Sequence, residues 1–135
     1  MKYLLMMNAP RGDGDWQVSD WPPGDFQAHI RFMKELNDRL RASGELVEAQ
    51  GLAPPGQARI VRAGDQGEPV VTDGPFAESK EFLAGYWMVQ VETAERAHEI
   101  AAEASTAPGP GAQPLNLAIE VRQVMDGPPD ESQPD

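Results

Sequence analysis

An α+β domain, with two helices packed on one antiparallel sheet, is what this sequence predicts. Three observations lead there. Short apolar runs bounded by turn residues recur along the chain, two segments carry apolar residues at spacings of three and four, and Gly/Pro clusters separate these stretches. A chain of 135 residues suits one domain. At that size it can bury about two-thirds of its unfolded surface without covalent staples.

Lys2 to Asn8 is a short apolar run between polar residues and reads as a buried strand. Ala9 to Gly24 is a loop rich in Gly, Asp and Pro, in which Trp16 and Trp21 each offer a large area for burial. Asp25 to Ser43 is the clearest helix. Phe26, Ile30, Met33, Leu36 and Leu40 form a single apolar stripe, and Gly44 supplies the stop.

Glu45 to Leu52 reads as a strand and Pro54-Pro55-Gly56 as a break. Ala58–Arg62 and Pro69–Thr72 form a hairpin around Gly64-Asp65-Gln66-Gly67. Asp73-Gly74-Pro75-Phe76 makes a turn that enters a short helical segment through Ser79-Lys80-Glu81, with Phe76 as a core plug closing the hairpin. Ala84 to Val91 has strong β propensity. Thr93 caps a second helix, Ala94 to Ala104, whose inward Ala94, Ala97, Ala101 and Ala104 let it lie close to a sheet. Ser105 to Gln113 is a Pro/Gly connector or lid, and Ala118 to Met125 is the last strand.

Setting the hairpin aside, the order is β-α-β-β-α-β, the ferredoxin-like arrangement, in which both helices cover one face of a four-stranded sheet. The other face should alternate with polar residues. Strand Ala84–Val91 does not: Tyr86 and Met88 fall on one side, Trp87, Val89 and Val91 on the other. The first strand behaves alike. Both faces need cover, and a homodimer in which two open faces meet, with a cavity between or beside the sheets, is the expected solution.

Charge narrows the function. The formal net charge is −11, from 22 acidic and 11 basic residues, and the basic residues are scattered. Such a surface repels phosphate backbones and anionic lipid heads, so neither direct nucleic-acid binding nor membrane association is expected. No stretch approaches the roughly 18 apolar residues of a membrane span. The opening apolar run is too short for a signal peptide, so the cytoplasm is the expected compartment. The absence of cysteine excludes disulfides, thiolate zinc sites and cysteine nucleophiles. Two histidines without matching carboxylate spacing offer no metal site, and no Gly-rich phosphate loop or nucleophile elbow is present, so no cofactor is expected. The domain occupies residues 1–125, and residues 126–135 are an acidic tail expected to be disordered.

A few residues could carry chemistry. His29 falls inside the apolar arc of the first helix, where an imidazole needs hydrogen-bond partners and titrates near neutrality. It is a satisfied core or interface histidine, or a general acid/base oriented by Asp73 or Glu120. Asp73 builds the turn before Gly74-Pro75, or holds its carboxylate at a cleft mouth. Glu120 and Arg122 share one face of the last strand, either as edge charges or, with Tyr86, as ligand-binding groups on the open face. Glu78, Lys80 and Glu81 are solvated charges or a polar rim, and His98 is structural or exposed.

The run Val71-Thr72-Asp73-Gly74-Pro75-Phe76-Ala77-Glu78-Ser79-Lys80-Glu81 resembles the motif that names the DGPF branch of the YCII-related family. The opening Met1-Lys2-Tyr3, Gly85-Tyr86, the segment Ser105 to Gly111 and the closing Ile119 to Met125 fit the same branch. The resemblance implies a dimeric α/β barrel. It also implies a link to sigma factors as partners, because similar proteins are found fused or adjacent to extracytoplasmic-function sigma factors. In the wider family a His and an Asp are suspected of enzymatic work, and some relatives are tied to chloroaromatic breakdown. The His corresponds to His29, whereas the segment that should hold the Asp offers Ser105 and Thr106. Two functions are therefore expected: a dimeric domain binding a small molecule or partner protein in a sigma-factor-linked pathway, or a small-molecule enzyme using His29.

Overall fold

The computed structural model describes residues 1–10, 21–74 and 81–127. Expectations for Trp16, for Phe76, Glu78, Ser79 and Lys80, and for the tail past Gly127 lie outside these residues.

Strand β1 (Lys2–Pro10) alternates strictly. Tyr3, Leu5, Met7 and Ala9 are buried on one side, while Leu4 and Met6 are half-buried on the other. Helix α1 (Asp25–Ala42) follows and stops at Gly44, whose φ of 80° is a conformation glycine adopts without steric cost. Then come β2 (Leu46–Gly51), the hairpin strands β3 (Arg59–Ala63) and β4 (Pro69–Asp73), β5 (Glu81–Gln90), α2 (Ala94–Ser105) and β6 (Ile119–Gln123). Four strands form one antiparallel sheet in the order β2-β5-β1-β6, and β3 with β4 forms a separate two-stranded sheet. This is the expected ferredoxin-like order with its inserted hairpin.

Glu81 opens β5 rather than ending a helical segment. After an irregularity at Met7/Asn8 the β1–β5 ladder continues to the pair Pro10–Glu81, and ladder hydrogen bonds take precedence over local helix preference.

Both helices pack on the face that carries Leu5, Trp87 and Val89. Leu5, Leu36, Val89 and Ile100 are the largest fully buried side chains, each contributing roughly 1.5–3 kcal/mol over an exposed position. Thr93 caps α2 as expected, its hydroxyl accepting from the Arg96 backbone N–H at 3.1 Å. Ala97, Ala101 and Ala104 are buried, with Ile100 among them as the anchor that the alanine pattern hid. The Arg96 guanidinium donates twice to Glu45, Nε to Oε2 at 2.7 Å and Nη2 to Oε1 at 2.9 Å, fastening α2 to the turn before β2. Arg96 thereby holds the Glu45 carboxyl at about 2.

One expectation fails in α1. Leu36 and Leu40 are buried and Met33 half-buried, but Phe26 and Ile30, at the amino-terminal end of the stripe, are 42% and 36% exposed. Ile30 stands over a hollow in the sheet.

Candidate functional site

Strand register sets out the helix-facing side of the sheet in rows. Leu5, Trp87 and Ala49 stand side by side, and so do Met7, Gly85 and Gly51. The second row therefore has two positions without side chains. Gly85 is obligatory: a Cβ there would lie 2.8 Å from the Gln50 carbonyl oxygen and 3.3 Å from Gly51 Cα. The paired glycines and Ala49 leave a hollow where α1 would otherwise meet side chains. The result is a cleft of about 280 Å³, roofed by His29, Ile30, Met33 and Asn37 and floored by this part of the sheet, with Met7 and Trp87 in its walls.

His29 is the polar group that the brace around it most strongly defines. Its Nδ1 lies 3.0 Å from the Pro108 carbonyl oxygen. A carbonyl only accepts, so Nδ1 carries the proton and Nε2 is left as the acceptor of the neutral ring. Trp21 packs edge-on against the ring, with centroids 5.5 Å apart and planes at 87°. Burial pushes the imidazole's pKa down, opposed in part by the hydrogen bond to Pro108. The ring is accordingly neutral at physiological pH.

The loop after α2 is an ordered brace. Gly111 N–H donates to Asp25 Oδ2 at 2.8 Å, so the loop grips the first turns of α1 at two points. It closes on itself through Leu115 N–H to Ala107 O and Asn116 N–H to Ser105 O, both 2.9 Å. Ser105 and Thr106, at the place where the family resemblance looks for an Asp, spend their hydroxyls on the carbonyls of Leu117 and Glu103.

Asn37 is the cleft residue that sequence reasoning missed. Its Oδ1 accepts the Trp87 indole N–H at 2.8 Å. The available signal was an amide interrupting an apolar stripe, two helical turns beyond His29.

The other expected residues stand elsewhere. Asp73 ends β4 with its carboxylate 96% exposed, 3.7 Å from Arg59 Nε, and does not line the cleft. Glu120 and Arg122 lie on the open face of β6, opposite Met6 and Leu4, and approach each other at 3.9 Å. Tyr86 borders the cleft, but its register with Met6 and Gln50 sets its side chain on the open face, where burial and the neighbouring Glu48 carboxylate push its pKa up. Tyr86, Glu120 and Arg122 thus share one face of the sheet and His29 sits on the other. His98 is exposed on α2.

Two helices over one face of a four-stranded antiparallel sheet, with a cleft beneath the first helix, define a ferredoxin-like domain with a helix-side cavity. The chain belongs to the YCII-related family: the family model "YCII-related domain" matches residues 22–112, which include His29, Asn37, Gly85 and Pro108. It is also 30% identical over 107 residues to an uncharacterized protein of Rhizobium meliloti (strain 1021), covering 79% of this chain and 82% of the relative. Among the described residues, no helix is long and apolar enough to cross a membrane.

Proposed function

We propose that this YCII-related domain binds a small, mostly apolar molecule in the cleft beneath α1, with His29 Nε2 as its hydrogen-bond acceptor. One observation carries the reading: a neutral imidazole, fixed in one tautomer by Pro108, lines a cavity whose remaining walls are chiefly apolar. Binding sites commonly pair an apolar lining with a few oriented polar groups, and about 280 Å³ suits a small ligand.

The enzymatic reading draws on the same atom, since a neutral Nε2 can take a proton from a bound molecule as a general base. It ranks second because the partner that orients the ring is a carbonyl, and neither Asp73 nor Glu120 stands at the cleft.

We further propose that the domain works as a homodimer closed through its open faces. Leu4, Met6, Tyr86 and Met88 adjoin one another in register there, half-exposed, with Glu48, Gln50, Glu120 and Arg122 on the flanking strands. An isologous contact buries such a patch twice. A sigma-factor-linked role would place this binding module beside a protein partner, a point for co-purification to decide.

The cleft is tested by titrating an isotope-labelled chain with phenol and acetone, followed by NMR. The His29 ring signals and the Met7 and Met33 methyl signals should move together. Gly51→Val should abolish the effect with the fold intact, because a Cβ at Gly51 meets no atom within 4 Å. Shifts that avoid these residues, or that survive Gly51→Val, would refute the cleft as a binding site.

A further inference from the structure

We infer that the cleft selects an uncharged, elongated ligand between two opposed polar anchors, His29 as acceptor at one end and the Asn37 amide N–H as donor at the other. The inference rests on the cleft reading above and adds the chemical class of the ligand.

The donor follows from valence. The Trp87 indole N–H can only donate, so Asn37 must turn Oδ1 toward it, as the 2.8 Å contact shows. The –NH₂ end of the same amide is left for the cleft, which Asn37 lines. A rotation of the amide would set N–H against N–H, so Trp87 locks the donor in place. Trp87 is itself 5% exposed and held in the core, which keeps the lock rigid.

Spacing supplies the shape. His29, Met33 and Asn37 follow one another at i, i+4 and i+8 along one face of α1. The two polar residues are thus separated by about 12 Å along the helix axis. Met33 stands between them, so the middle of the ligand meets a thioether and the apolar walls from Met7 and Trp87.

Charge supplies the rest. No ionised side chain is among the described residues lining the cleft. A formal charge entering it would lose hydration without a counter-charge. The ligand class is therefore a neutral molecule with a hydroxyl or N–H at one end, a carbonyl-type acceptor at the other and an apolar body between.

A set of matched probes tests this: para-hydroxyphenylbutanone, its methyl ether, the analogue without the carbonyl oxygen, and the corresponding carboxylate. Affinities are read by NMR titration at Met33 in every chain, and also at Trp87 wherever that residue is retained. In the wild-type chain the ketone should bind best. Removal of the phenolic proton or of the carbonyl oxygen should each weaken binding about threefold to tenfold, and the carboxylate should bind more weakly still. In Asn37→Asp, one oxygen still accepts the Trp87 N–H but the donor is gone. The carbonyl preference should then vanish while the methyl-ether penalty persists. Trp87→Phe, which unlocks the amide, should shrink the carbonyl preference and serves if Asn37→Asp does not fold.

Probes that move Met33 and Trp87 but bind equally with and without the carbonyl would overturn the two-anchor inference and leave the cleft reading standing. A carbonyl preference intact in Asn37→Asp would do the same. If none of the probes moves those signals, the cleft reading falls and takes this inference with it.

Discussion

His29 and Pro108, 79 positions apart in the chain, are joined by a 3.0 Å hydrogen bond from the ring Nδ1–H to the backbone carbonyl. That contact fixes the tautomer of the imidazole and docks the loop after α2 on the helix that roofs the cleft. A residue that would otherwise be a half-buried apolar-face histidine becomes an oriented acceptor.

The depressed pKa of His29 has a consequence for stability. The unfolded chain binds a proton there more readily than the native one, so stability rises with pH across the interval between the lowered native pKa and about 6.5. As pH falls through the native pKa this contribution is lost. The urea midpoint should be lower near pH 5.5 than near pH 8, and His29→Gln should flatten the difference. A wild-type midpoint unchanged over that interval would contradict a desolvated neutral imidazole.

The paired glycines give a contrast in which neighbouring positions respond oppositely. Gly85→Ala places a Cβ 2.8 Å from a backbone oxygen of the adjacent strand, so the ladder must shift, and a loss of about 1–3 kcal/mol is expected. Gly51→Ala meets open space and should change stability by no more than about 0.5 kcal/mol. Urea denaturation of the two variants side by side checks this. Equal effects would mean that the register Gly51–Gly85 is wrong.

The bidentate pair of Arg96 and Glu45 predicts acid sensitivity in a lower range. Arg96 holds the Glu45 carboxyl at about 2, so its stabilisation is complete above the unfolded carboxylate range and is lost as pH falls toward 2. The Arg96 side chain is 40% exposed and screened by solvent, so Arg96→Ala should cost only about 0.5–1 kcal/mol near neutrality. In acid unfolding the variant's loss should narrow and disappear below the native pKa of Glu45. A penalty independent of pH would point to packing of the alkyl stem instead.

Assembly through the open face predicts a dimer by light scattering at micromolar concentration. Met6→Glu puts a charge at the centre of the apolar patch and should yield a monomer with the fold retained. A wild-type chain that is monomeric would remove the proposed dimer.

Much of this architecture is legible in the chain. Apolar residues in both phases of β1 and of Ala84–Val91 identified a sheet with apolar residues on both faces, Thr93 marked the start of α2, and its alanines marked the buried side. The stripe on α1 correctly gave Leu36 and Leu40 and placed His29 among apolar neighbours. These features depend on the repeat of the backbone itself, 3.6 residues per turn or two per strand period, so local sequence determines them. Tertiary structure alone decided the cleft. Gly85 and Gly51 create a hollow only because strand pairing sets them side by side, and Ile30 stays partly exposed because it stands over that hollow. Asn37 finds Trp87, and His29 finds Pro108, only once distant segments close on one another. Partners so far apart in sequence share no period from which either could be read.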